Sequence, residues 1–145
     1  MEGDTRMKLL MVNDAQLLLK GFLSLLKALA PDIQMDSATN GDDALRLCRE
    51  GRYDVVLTDL DHPGLNGVEL AEQILRENKR QRLGFVTAWA PGQKDDRLKE
   101  AYAQMEEFIH RAHLPVFTIG NVEPRRFVQF VRAVAKRKRH RIEST

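Results

Sequence analysis

Apolar residues fall along this chain in two alternating rhythms. Short apolar runs, Leu9-Leu10-Met11-Val12 and Val55-Val56-Leu57, with the mostly apolar Leu83 to Ala88 and Val116 to Ile119 as fourth and fifth strands, alternate with stretches where apolar positions return every three or four residues. The first rhythm is that of strands buried on both faces of a sheet, the second that of one face of a helix. Ile33-Gln34-Met35-Asp36 alternates instead, which predicts a second strand nearer the sheet edge. The helical stretches carry Leu18, Phe22, Leu25, Leu26 and Leu29; then Ala44, Leu45, Leu47 and Cys48; then Val68, Ala71, Ile74 and Leu75. A fourth runs from Asp95 to His110 with Leu98, Ala101, Tyr102, Met105, Phe108 and Ile109 in one stripe, and a fifth carries Phe127, Val131 and Val134.

Punctuation supports this parsing. Pro31 stops the first helix, and Thr39-Asn40-Gly41-Asp42 predicts a turn that places Asp42 or Asp43 at the start of the second. Gly51 suits the C′ position of that helix, and Pro124 the first turn of the last. Five strands thus alternate with five helices, without an internal repeat. That order predicts right-handed crossovers and a doubly wound five-stranded parallel sheet, a flavodoxin-like (βα)5 α/β fold in one domain. The pattern occupies 7–135, leaving 1–6 as a polar leader and 136–145 as a basic tail.

The third strand organises the rest. It ends on a carboxylate, Asp59, and passes into a loop with Pro63-Gly64 and Asn66-Gly67 turn signals. Ligands of open α/β sheets bind outside the carboxyl ends of the strands. A carboxylate there is chemical rather than ornamental, because an unpaired buried charge is expensive. The stretch resembles the phosphoacceptor segment of two-component response-regulator receiver domains. In that family an Asp follows a hydrophobic third strand, then come Pro-Gly and an acidic residue or Asn before Gly. Asp59, Pro63, Gly64, Asn66 and Gly67 fall in register with it.

The resemblance implies a site. Asp59 would be the phosphoacceptor. Asn13-Asp14 matches the acidic pair after the first strand, with Asp14 binding metal directly and Asn13 acting through water and lowering affinity. Two carboxylates side by side repel unless a cation or proton lies between them, and Mg2+ suits such a place. The backbone carbonyl of Asp61 would be the third protein ligand. Thr87, ending the fourth strand, matches the hydroxyl that bonds a phosphoryl oxygen, and Ala88 the small residue that leaves it room. The departure lies at the fifth strand: Gly120 stands where the family carries a lysine, Asn121 where proline follows, and Phe117 at the switch-aromatic position without a hydroxyl. The match is specific through the third strand and looser beyond Thr87.

Composition adds bounds. With 145 residues, 43% hydrophobic and 30% charged, the chain is an ordinary globular domain with one sizeable core. Cys48 is the sole cysteine, so no intrachain disulfide is possible and a reducing cytosol is the default. The most apolar stretch, Leu17 to Ala30, is interrupted by Lys20 and Lys27, which excludes a membrane span, and no signal peptide is seen. The net charge of +2 conceals a basic run, Lys136-Arg137-Lys138-Arg139-His140-Arg141. As a tail it reads first as a solvated helix end. Without interleaved aromatics or a recognition helix, nucleic acid is a weakly supported partner for this chain alone.

The leading expectation is a cytoplasmic signalling receiver that takes a phosphoryl group from a phosphohistidine donor onto Asp59 with Mg2+. Its partners would be a sensor histidine kinase or phosphotransfer protein and a downstream protein target. The face made by the fourth helix, fifth strand and fifth helix is the expected surface for a homodimer or that target. The missing lysine keeps a second reading open, a pseudo-receiver that works as an interaction module with weak or no phosphorylation. A third reading makes Asp59-Leu60-Asp61 the paired aspartates of a haloacid-dehalogenase-type phosphatase. That family places its motif on the first strand, followed by Thr or Val, whereas here it follows the third and Pro63 stands in the way. An enzyme of that type is not expected.

Overall fold

Side chains of a strand point alternately to opposite faces, and the central strands of this sheet fill both. The computed structural model describes residues 6–59, 66–87, 99–119 and 123–137. Its elements run β1 (Met7–Val12), α1 (Gln16–Leu29), β2 (Ile33–Ala38), α2 (Gly41–Glu50), β3 (Val55–Thr58), α3 (Gly67–Glu77), β4 (Leu83–Thr87), α4 (Lys99–Ala112), β5 (Val116–Thr118) and α5 (Pro124–Ala135). All strands are parallel, in the order β2-β1-β3-β4-β5. Leu9 and Met11 of β1, Val55 and Leu57 of β3 and Val86 of β4 build one apolar layer, closed by Leu19, Phe22 and Leu26 of α1 and Phe127, Val131 and Val134 of α5. Leu10, Val12, Val56, Leu83 and Phe85 build the other, closed by Ala44 and Leu45 of α2 and Leu70, Ala71 and Ile74 of α3, with Phe108 and Ile109 of α4 packed against it. This is the doubly wound (βα)5 sheet that the pattern predicts.

Helix ends follow local chemistry. Asn40 caps α2 by accepting from the Asp43 amide at 2.8 Å. Asn66 and Glu69 form a reciprocal capping box on α3, at 2.9 and 3.2 Å. Pro124 occupies the first turn of α5 as expected. The sequence expectation fails at Gly51: it caps α2 in an extended conformation, φ −119° and ψ 179°, rather than as a left-handed C′ residue. Among the described non-glycine residues the left-handed one is His113, φ 55°, after α4.

Which leucines turn inward also differs. Leu19 is buried in α1, whereas Leu18 and Leu25 are only partly covered and Leu29 is exposed. Leu70 is buried in α3, where Leu75 and Val68 lie at the margin. A helix rich in apolar residues offers several possible faces, and only docking on the sheet selects one. Among the described residues no helix is long and apolar enough to cross a membrane.

Ion pairs tie helix ends together at the surface. Arg49 of α2 grips Glu77 of α3 in a fork of 2.8 and 2.7 Å, and Gln73 adds a bond of 2.8 Å to the same carboxylate. Arg49 first, then Gln73, holds the Glu77 carboxyl down from 4.5 to about 2. A carboxyl depressed in the folded state stabilises the fold above its unfolded pKa and loses that contribution as the acid form takes over. The contribution is therefore complete above pH 4.5 and drains toward about pH 2. Asp32, held down by Arg132, acts in the same direction. Glu77→Gln is expected to flatten, without abolishing, the fall of Tm across that window; an acid slope equal to the parent's would contradict it.

Candidate functional site

The strand order turns round at β1 and β3, and the carboxyl ends of those two strands border the crevice of the sheet. Val12 faces Thr58 in the parallel ladder, so the residues that follow, Asn13 and Asp59, come out side by side. The Asp59 amide donates to the Val12 carbonyl at 3.0 Å, and the Asn13 amide to the Ala38 carbonyl at 3.0 Å. Both residues are thereby fixed by backbone as continuations of their strands. Beneath them the Thr58 hydroxyl, fully buried, donates to the Asp59 carbonyl at 2.9 Å.

Asn13 does more than the sequence suggests. It is 3% exposed, and its Oδ1 accepts from the Ala15 amide at 2.8 Å, an Asx turn that leads the chain into α1. Its Nδ2 then points toward Asp59 Oδ2, at 3.5 Å. The residue therefore offers Asp59 a donor, while its oxygen is spent on the turn. The signal was present in the sequence as an Asn three residues before the start of a helix.

Asp14, next along the turn, is exposed, and Asp59 is partly buried. Thr87 closes β4, the neighbour of β3, at 3% exposure, and its carbonyl accepts from Ile119 at 2.7 Å. Asn13, Asp14, Asp59 and Thr87 thus lie on one edge of three adjacent strands. Asp61, Pro63, Gly64, Ala88, Gly120 and Asn121 lie outside the described residues. Asp59 is held by its amide bond to the Val12 carbonyl, and Asn66 by the α3 capping box.

Carboxylate oxygens at neighbouring strand ends are the hard donors that Mg2+ takes, and that ion needs only one or two of them beside its waters. Asp14 and Asp59, after the ends of the neighbouring strands β1 and β3, are donors of that kind. Among the described residues no three His, Cys, Asp or Glu cluster together. At β5 the Phe117 ring is engaged inward, its centroid 5.8 Å from that of Phe127 and 5.2 Å from that of Phe130.

Residues 9–113 match the family described as the response regulator receiver domain. The transcriptional regulatory protein ResD of Bacillus subtilis is 35% identical over 81 residues, which are 56% of this chain and 32% of ResD. The chain spans less than half the length of ResD and of the next curated relatives it matches. In fold it is similar to the CheY-like receiver domain protein of Methanospirillum hungatei, with TM-score 0.72, 17% identity and coverage of 90% of this chain and 94% of that one. It is likewise similar to TrrA of Thermotoga maritima, solved in complex with Mg2+-BeF, with TM-score 0.69, 22% identity and coverage of 88% and 98%.

Proposed function

The chain belongs to the response regulator receiver domain family of two-component signalling, and on that premise we propose that Asp59 accepts a phosphoryl group from a phosphohistidine donor. One observation carries the reading: Asp59 emerges at the turning point of the strand order, held by the Val12 carbonyl and faced by the Asn13 amide. An Asp59 carboxylate oxygen attacks phosphorus. The phosphorus–nitrogen bond of the donor breaks, its electron pair stays on the imidazole, and an acyl phosphate forms on Asp59. Catalysis of this kind is positioning and charge stabilisation rather than covalent work by other side chains.

The residues divide that task. Asn13 orients the Asp59 carboxylate, and Thr87 presents a hydroxyl to a phosphoryl oxygen. Asp14 and Asp59, with the Asp61 carbonyl, would hold Mg2+, which when bound neutralises charge on the transferring group. The oxygen donor set and the magnesium complex of TrrA support that choice. A sensor histidine kinase or phosphotransfer protein would supply the phosphoryl group in the cytoplasm. The face of α4, β5 and α5 would carry the signal to a second copy or a target; β5 is the sheet edge there, with Val116 41% exposed.

A second reading, a pseudo-receiver with little phosphorylation, is favoured by Gly120, which stands where the family has its lysine. A cation beside the phosphoryl oxygens is worth roughly 4 kcal/mol at ~4 Å and an effective dielectric near 20, before desolvation. Without it, labelling should be slow and poorly coupled to β5, since the engaged Phe117 ring has no hydroxyl to respond. Incubating the protein with Mg2+ and a small acyl phosphate tests both readings. Gly120→Lys is expected to raise the labelling rate severalfold. A parent that labels as fast as lysine-bearing receivers, with no gain in the variant, would refute the role given to the lysine position.

A further inference from the structure

Two histidines meet at the end of the sheet opposite Asp59, where phosphoryl transfer has no use for them. His110 lies in the last turn of α4 and His113 just beyond it, both exposed, with their ring centroids 6.5 Å apart. A Schellman turn joins them. The His113 amide donates to the His110 carbonyl at 3.2 Å and the Leu114 amide to the Ile109 carbonyl at 3.1 Å, and Leu114 and Ile109 pack on the same apolar layer. The turn sets His113 at φ 55°, the left-handed position that glycine fills without strain. A side chain kept there against that strain points to a use for the side chain.

The backbone at this pair is fixed while the rings are available. The His113 carbonyl accepts from the Arg137 guanidinium at 2.6 Å, which ties the turn to the end of α5. Among the described residues neither imidazole has a hydrogen-bond partner. The helix dipole favours a cation in the last turn, and Arg111 supplies one there. That effect does not call for two adjoining rings.

We propose that His110 and His113 together bind a late first-row transition-metal dication of the Zn2+ and Ni2+ class, with water in its remaining positions. Imidazole nitrogen is the donor such ions take, whereas Mg2+ takes oxygen, so this site differs in chemistry from the one at Asp59. With metal–nitrogen bonds of about 2.0–2.1 Å, a tetrahedral ion would hold the two ring centroids about 5 Å apart. The rings stand slightly wider than that, and rotation of two exposed side chains closes the gap. Among the described residues no third His, Cys, Asp or Glu joins them, so the site is open and its ion exchanges with solution. A bound ion would clip the last turn of α4 to the segment entering β5, three residues before the exposed Val116. It would thereby stiffen the face made by α4, β5 and α5.

Titrating paramagnetic Ni2+ into the nitrogen-15-labelled full chain, made without a histidine tag, tests this by NMR. The amide signals from Ile109 to Leu114 should broaden first, while Mg2+ at the same concentration leaves them in place. Zn2+ should raise Tm, because it binds the folded pair. His110→Gln and His113→Gly should each abolish that broadening and the Zn2+-induced rise. Without metal the Tm of His113→Gly should stay level or increase, since glycine relieves the left-handed strain, so its loss of binding is not a loss of fold. Broadening that centres instead on His62 or His140, the chain's other histidines, would overturn the proposal. So would no response to Ni2+, or a response that persists undiminished in either variant.

Discussion

Asp14→Ala is expected to slow phosphoryl labelling of the protein at least about tenfold, an increase of ~1.4 kcal/mol in the barrier, and to remove most of its dependence on Mg2+. Asp14 is exposed on the turn after β1, so its loss opens no cavity and strands no buried partner. The fold should be untouched, with Tm within a degree or two of the parent. The Mg2+ concentration giving half-maximal labelling should move sharply upward or disappear. Asn13→Ala should behave differently. It removes the Asx turn and the donor facing Asp59 from a residue only 3% exposed, and so should lower Tm as well as the rate. Labelling by Asp14→Ala with the parent's Mg2+ response would show that Asp14 does not hold the ion.

Phe127→Ala should be the most damaging core change in α5, at about 3–5 kcal/mol, or roughly a 10 °C drop in Tm. The Phe127 ring is 2% exposed, stacks on Phe22 of α1 at 4.4 Å between centroids and meets Phe117 of β5 edge-on at 5.8 Å. It therefore joins the first helix, the last helix and the edge strand, and few apolar neighbours can move to fill the space. Thermal unfolding followed by circular dichroism measures the effect. A loss under about 1 kcal/mol would mean that α1 and α5 pack independently of this ring.

The architecture was readable because period carries it. Continuous apolar runs became the central strands, the alternating Ile33 to Asp36 run became the edge strand β2, and three-to-four spacings became helices. Alternation within each strand then built the two layers. The inward faces of α1 and α3 were less readable. Leu17 to Leu29 holds more leucines than one face accommodates, and Leu19 rather than Leu18 or Leu29 went inside because the sheet, not the helix, sets the rotation. Gly51 misled because a glycine after a helix permits a left-handed cap without requiring one. At the site, strand ends located Asn13, Asp59 and Thr87 on one edge, since parallel strands bring their C-termini together. The turn made by Asn13 was missed: the residue was weighed as a weakened acid, when its amide group both accepts from Ala15 and donates to Asp59. Asp61, Ala88 and Gly120 lie outside the described residues, and their roles rest on register with the family.

The central claim is that Asp59 is the group that becomes phosphorylated, and intact-mass spectrometry tests it most directly. The protein would be incubated with Mg2+ and a small acyl phosphate, beside Asp59→Asn and a sample with the metal chelated. The account predicts a single phosphoryl adduct on the parent, stable in acid, lost in base, formed slowly and only with Mg2+, and absent from Asp59→Asn. An adduct that persists in Asp59→Asn, or a parent that stays unmodified even after Gly120→Lys, would contradict it.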